Sequence, residues 1–521
     1  MPPLPVFLLA VSVFLTLAAL PAEAAAVTPP DPARVQVLTA LLPEKPEPPG
    51  PALTDRAAWG RLAAQSEGQK LIAQAARLLT QPIPEQPDDL YLEYSRTGNR
   101  THWQAVSGVR RGRLTTLVLA ECLESKGRFL PGINAIIDAL CAEKTWVLPA
   151  HDGVLKNFHG TVTDIDLGSS ALGWDMAITD ALLGDKLAPA TRQRLQENVR
   201  RRVLTPFHEQ ITGKIPANWW LTTNNNWNAV CLAGVTGAAL AEAPTRAERA
   251  EFAAAAEKYV HSFLSGFTPD GYCSEGLGYW NYGFGRFTLL SETLRRATGG
   301  KLDLLALPEA QKPALFAARI QIMNGVSPAF ADCPVDAQPQ APLMALLNTK
   351  FALGLTDYGA WGQKPSFGNL AESLIYNFPE RDTSQLPNTT ADNLSGPRLR
   401  DWFDKAGILI ARPAPDSKCL LGVALKGGNN AENHNHDDVG SYVVVVVDRA
   451  VLLDPGGETY TARTFGPHRY DSKLLNSFGH AVPLVAGKLQ REGANAQGKI
   501  LRTDFTPAAD TLAFDIASAY A

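Results

Sequence analysis

The stretch Asn433-His434-Asn435-His436-Asp437-Asp438-Val439-Gly440-Ser441 runs into the apolar segment Tyr442 to Val447 and then into Leu453-Asp454-Pro455-Gly456-Gly457. A β-branched run bounded by turn residues reads as a strand, and it marks the place where a helical chain becomes a β chain. Four of the nine histidines, His434, His436, His468 and His480, fall within it or just after it. Imidazole concentrated beside a strand favours a site over scattered structural histidines.

Before this stretch, from residue 54 to about 375, apolar positions recur at three- and four-residue intervals near 109–124, 165–184, 188–204 and 285–297, the spacing of helices that bury one face. Thr245-Arg246-Ala247-Glu248 fits a capping box that opens a helix through Phe263. Helices follow one another without strands. Periodicity alone leaves a bundle, a solenoid and a closed ring of helix pairs open.

Arg381 to Pro397 is rich in Asp, Thr, Asn, Ser and Pro and reads as a connection between domains. After it, short aliphatic runs at Gly407–Ala411, Leu420–Leu425, Ser441–Val447, Val451–Leu453 and Lys499–Phe505 predict an antiparallel sheet. Thr511 to Ala521 reads as one more strand.

At the other end, Pro5 to Leu20 is an apolar run followed by Ala22-Glu23-Ala24, the pattern of a cleaved secretory signal. The expected divisions are a signal over 1–24, a helical domain over 25–395 and a β domain over 396–521, in an exported protein, periplasmic or secreted. Hydrophobic content of 45% supports large buried cores. A net charge of −4 without Lys/Arg runs argues against a nucleic-acid partner, and no later segment is apolar enough for a membrane span. The six cysteines include no Cys-x-x-Cys pair, so neither a thiolate zinc site nor a dense disulfide framework is indicated.

Tyr91 to Arg100, Trp146 to Asp152, Asn225-Asn226-Trp227-Asn228, Asp270 through Tyr282 and the histidine-rich stretch together resemble the heparinase II/III-like polysaccharide lyases, whose relatives include alginate and heparin lyases. The resemblance spans most of the chain. It implies an incomplete α/α toroid followed by an antiparallel β-sandwich domain, with an acidic polysaccharide in the cleft between them. Since such relatives continue further, it also implies a β domain that is truncated here.

Elimination at C4 of a uronate needs its C6 carboxylate neutralised, a base for the C5 proton and an acid for the departing O4. By resemblance, Asn226 is the neutralising amide, Tyr279 the acid and, for one stereochemistry, also the base, and His434 the imidazole by the carboxylate or the base. Some relatives carry His after that Asn; this chain has Trp227, which cannot ionise. Trp227 and Trp280 are expected to stack on sugar rings, and Tyr282, Arg469 and His151 to line the cleft. His436, Asp454 and His480 match the zinc ligands of the family, a set that suits Zn²⁺ in a structural role that orients His434. A hairpin turning near Asp448-Arg449 would place Asp454 opposite Val443, so the loop Asp437–Gly440 must curl back for His436 to reach the metal. Two other readings share the fold: a binding protein without turnover, and a glycoside hydrolase, which needs two opposed carboxyls drawn from Asp152, Asp270 and Glu275.

Overall fold

The protein is described by a computed structural model covering residues 27–359, 364–380, 386, 394 and 398–520. The signal segment 1–24 and nearly all of the connection Arg381–Pro397 lie outside the described residues. Helices occupy the chain from Pro32 to Asn377, and strands begin at Arg400. None of the described helices is long and apolar enough to cross a membrane.

The predicted helices are present: Thr101–Glu124 and Gly276–Ala297 begin earlier than their periodic cores, Leu167–Leu183 and Pro189–Val199 fall within theirs, and Arg246–Leu264 follows the predicted cap. Local chemistry sets their starts. Asp166 caps Leu167–Leu183 by accepting from the Ser169 amide, and Thr245 caps Arg246–Leu264 by accepting from the Glu248 amide. Helix Asn226–Glu242 is buried almost throughout and packs against Leu167–Leu183, Arg246–Leu264 and Gly276–Ala297, forming the centre of the toroid. Its approach to Leu167–Leu183 depends on Gly234, where an added Cβ would lie 2.6 Å from the Ser170 carbonyl. Gly234→Ala should therefore lower stability by about 1–3 kcal/mol, overpacking outweighing the gain of about 0.5–1 kcal/mol in helix propensity. Chemical denaturation reads this directly, and an unchanged midpoint would refute the tight crossing.

The β region contains strands β1 (Arg400–Phe403), β2 (Ile408–Ala411), β3 (Leu421–Lys426), β4 (Asn429–Asn430), β5 (Tyr442–Val446), β6 (Arg449–Leu452), β7 (Gly493–Gln497), β8 (Lys499–Phe505) and β9 (Asp510–Asp515). An antiparallel five-stranded sheet has the order β1-β2-β3-β5-β6, with β4–β7 and β8–β9 as two-stranded companions. Val443 and Val445 face the core, in line with the two-residue period of a half-buried strand. The final strand stops at Asp515 and a 3₁₀ turn follows over Ala517–Ala519, so the expected strand from Thr511 to Ala521 is only half right. Ala519 turns back to accept the Arg491 amide at 2.9 Å.

Helical and β regions meet along a polar seam. Asn99 bridges Thr461, the Lys405 amide donates to Asp270, and the Gly457 amide donates to the Cys333 carbonyl. At Gly456, with φ of 66°, a Cβ would lie 2.2 Å from that same carbonyl. Only glycine allows the loop after Asp454 to lie directly on the backbone at Cys333.

Candidate functional site

A cleft of about 1120 Å³ opens at this seam. Two helix N-termini point into it. Asn225 has extended backbone and caps Asn226–Glu242, accepting from the Trp227 amide, which leaves the next residue free for another task. Asn226 uses that freedom: it is buried, and its amide donates to Glu275 Oε2 at 2.9 Å. Glu275 precedes helix Gly276–Ala297, whose first turn carries Tyr279. The positive ends of both helices suit an anionic ligand.

His434 comes from the loop before β5 and sits in the left-handed backbone region, φ 56°, a conformation that costs about 1–2 kcal/mol outside glycine. Its ring stacks on Tyr279 with centroids 3.9 Å apart. Nδ1 lies 2.8 Å from Asp332 Oδ2, and Nε2 lies 3.5 Å from Glu275 Oε2. A carboxylate only accepts, so the short contact with Asp332 puts a proton on Nδ1, while Nε2 faces Glu275 from beyond ordinary hydrogen-bond distance. Asn226, Tyr279 and His434, expected from distant parts of the sequence, thus converge on one wall.

Asp332, which the sequence did not single out, is the hub of this wall. Its carboxylate accepts from His434, from His436 Nε2 at 3.0 Å, from Tyr460 at 3.0 Å and from Arg469 at 2.9 and 3.0 Å. Burial opposes its charge, but hydrogen bonds from the two histidines and the charge of Arg469 outweigh burial and hold the carboxyl well below the usual range. The preceding Ala331 also has positive φ, 62°, so strained backbone lies on both sides of the Asp332–His434 bond. Tyr460, likewise missed, links the hub to Tyr279: the two phenol oxygens are 2.7 Å apart, and with the Tyr460 proton committed to Asp332, Tyr279 donates to Tyr460. Burial, with the nearby Asp332 and Glu275 carboxylates, pushes the Tyr279 phenol above its ordinary range. Burial likewise raises Glu275.

His436, Asp454 and His480 are all buried, and their ligand atoms lie within 4.8 Å of one another. The loop Asp437–Gly440 does curl back, the Asp437 amide donating to Leu475 and the Gly440 amide to Lys426. A register shift between Val444 and Val445 sets Val444 opposite Leu452, one residue from the simple hairpin pairing. Because His436 directs Nε2 at Asp332, its Nδ1 is left as a buried lone pair, and that atom has no hydrogen-bond partner. His480 directs Nε2 at the Leu474 carbonyl, 3.0 Å away, and its Nδ1 faces Asp454 Oδ2 at 3.1 Å. A buried imidazole nitrogen without a partner, beside a second imidazole and a carboxylate, is a donor set that suits a cation.

Other predicted residues divide. Trp227 lines the cleft, its ring 4.4 Å from His151 and 4.8 Å from Trp219, and Trp219 is 55% exposed. Together they form an aromatic wall. His151 is fixed by Asp166, 2.7 Å from Nδ1. Tyr282 lines the cleft, and burial pushes its phenol up to about 12. Trp280 does not take the expected sugar-stacking place: it is fully buried, stacked on Phe284 and donating to the Pro313 carbonyl. One step along a helix turns a side chain by about 100°, so Trp280 faces the core when Tyr279 faces the cleft. His468 is exposed beside Asp471, outside the cluster of the other three histidines. Asp152 is buried under Tyr91, and Asp270 receives the Lys405 amide; neither lines the cleft.

No family model matches the chain, and no curated protein matches it in sequence. Among solved structures, heparinase III matches at a TM-score of 0.52 and 12% identity, over 78% of this chain and 58% of that one. A second heparinase III gene product matches at 0.52 and 11% identity, over 89% of this chain and 75% of that one. The chain thus spans less than two thirds of the first of these neighbours. An incomplete helical toroid followed by an antiparallel β region, matched on that scale, gives this chain the heparinase-like polysaccharide lyase fold.

Proposed function

We propose that the protein cleaves a uronate-containing acidic polysaccharide by β-elimination. The observation that carries this reading is the meeting of Asn226, Tyr279 and His434 in one cleft, held by Glu275 on one side and Asp332 on the other. In this scheme the Asn226 amide and the two helix N-termini receive the C6 carboxylate, which makes the C5 proton acidic. His434 Nε2, whose nearest carboxylate is Glu275 at 3.5 Å, takes that proton. Tyr279, kept protonated by its surroundings, gives its own to O4 as the C4–O4 bond breaks and the C4–C5 double bond forms. The Tyr279–Tyr460–Asp332 chain holds the phenol in place. Trp227, Trp219 and His151 support a pyranose ring, and Arg469 orients Asp332.

We assign His436, Asp454 and His480 to a structural zinc ion, on the strength of the partnerless His436 Nδ1. Zinc would supply a fixed positive charge that locks the His436 ring and, through its Nε2 proton, the Asp332 carboxylate. The apolar run Pro5 to Leu20 supports export.

Hydrolysis is the weaker reading, because Asp152 and Asp270 lie off the cleft and Asp332 is saturated with donors. Incubating the purified protein with a panel of uronate polymers separates the possibilities. Growth of ultraviolet absorbance from the conjugated C4–C5 double bond is expected; new reducing ends without absorbance would mean hydrolysis, and binding without either would mean a non-catalytic protein.

Glu432 adds a pH dependence. It lines the cleft, and burial raises its carboxyl to about 7. It is therefore neutral below that point and gains charge above it, so KM for an anionic chain should rise as pH passes upward through about 7. Glu432→Gln should flatten this rise. A KM profile identical in both proteins would remove Glu432 from the account.

A further inference from the structure

The charges on the cleft wall narrow the substrate further, on the premise that the cleft takes a uronate chain. Among the described residues lining it, the cations are Arg100, Arg111 and Arg469 and the carboxylates are Asp332 and Glu432. Two of the three arginines are already committed. Arg469 gives Nη2 to both oxygens of Asp332, Nε to the Asn435 carbonyl and Nη1 to the Thr464 carbonyl. Arg111 gives its terminal nitrogens to the carbonyls of Gly168 and Trp146, so it cannot swing to meet a ligand without orphaning both.

Arg100 remains. Its guanidinium lies 5.9 Å from the centroid of the Tyr460 ring, where the Gln104 amide carbonyl can hold it through Nε and Nη2. That partner is a side chain that can turn with it, whereas the two partners of Arg111 are fixed in the backbone. Among the described residues the wall therefore offers one cation held by neither a carboxylate nor backbone carbonyls, next to the Tyr279–Tyr460 pair, together with the neutral donor Asn226. That complement matches a single carboxylate on the sugar at the point of cleavage. A sulfate ester brings a further full negative charge, which must be paired when it leaves water, and this wall has no second uncommitted cation to pair it. The remaining surface is aromatic, Trp219, Trp227 and His151, and favours the C–H faces of pyranose rings.

We infer that the substrate is an unsulfated uronan, a chain whose only charges are its C6 carboxylates. The test compares heparan sulfate with its chemically desulfated form, alongside polymannuronate and polyguluronate. Two quantities are read: kcat/KM from product absorbance with the wild-type protein, and calorimetric affinity with Tyr279→Phe, which retains the wall charges. Both should favour unsulfated chains over heparan sulfate, on the order of tenfold or more, as expected for unpaired charge brought to a wall without a partner. Equal or faster turnover of heparan sulfate, or its tighter binding, overturns the inference and leaves elimination intact. Preferential binding of unsulfated chains without product from any polymer sustains the inference and overturns the lyase reading. Absence of binding to all four polymers overturns both.

Discussion

Tyr279→Phe should lower kcat by about 10²- to 10⁴-fold, the range for loss of a positioned general acid, with little change in substrate affinity. The phenyl ring can keep its stack against His434, 3.9 Å between centroids, so the wall keeps its shape. What disappears is one proton and one hydrogen bond, that from Tyr279 to Tyr460. Losing a neutral hydrogen bond of this kind costs about 1 kcal/mol of stability, too little to unfold a chain of this size. The measurement is therefore a split: turnover lost, affinity and unfolding midpoint nearly kept. If turnover survives, O4 receives its proton from another group and Tyr279 leaves the mechanism.

The second large effect is expected at Asp332. Asparagine there presents an N–H to a position where His434, His436, Tyr460 and Arg469 all donate. Donor meets donor, and Arg469 loses its carboxylate. Breaking such a buried pair from one side costs about 3–5 kcal/mol, and loss of an outer partner to a metal-bound imidazole weakens metal affinity about 10- to 100-fold. Asp332→Asn should thus lower zinc content, turnover and stability together, although no part of Asp332 is proposed to touch zinc. The pH dependence has a definite sign. The Asp332 carboxyl lies below its ordinary range when folded, so its contribution is fully present above the unfolded value near 3.9 and is lost as pH falls from there toward the folded value. The stability gap between wild type and variant should be full at neutral pH and shrink below about pH 4. A variant with unchanged zinc content and turnover would show that the hub does not couple the cluster to His434.

The change from helix to strand and the capping of Arg246–Leu264 were legible because each rests on local pattern, whereas His436, Asp454 and His480 were singled out through the family resemblance. Tyr279 too was named through the resemblance, and helical geometry would have excluded Trp280, since positions three apart, such as Tyr279 and Tyr282, share a face and neighbours do not. Asn226 was ambiguous for a physical reason. In a run of asparagines any member can cap a helix, and only the extended backbone at Asn225 decides that the cap is one residue earlier. Asp332 was invisible. It stands alone in Ala331-Asp332-Cys333-Pro334, and its importance comes from partners more than a hundred residues away, for His434, His436, Tyr460 and Arg469 alike. Tyr460 is hidden in the same way, its partner Tyr279 being 181 positions earlier.

The Asp332 carboxylate belongs to the helical half, whereas the four side chains that grip it belong to the β half. Competence is therefore a property of the joint, and neither half owns it. A slippage of an ångström or two between the halves would leave each one's hydrophobic interior whole and yet part His434 from the anchor that sets its tautomer. Heat or mild denaturant would then silence such a molecule well before melting it, and grafting either half onto a foreign partner would carry over the architecture without the reactivity.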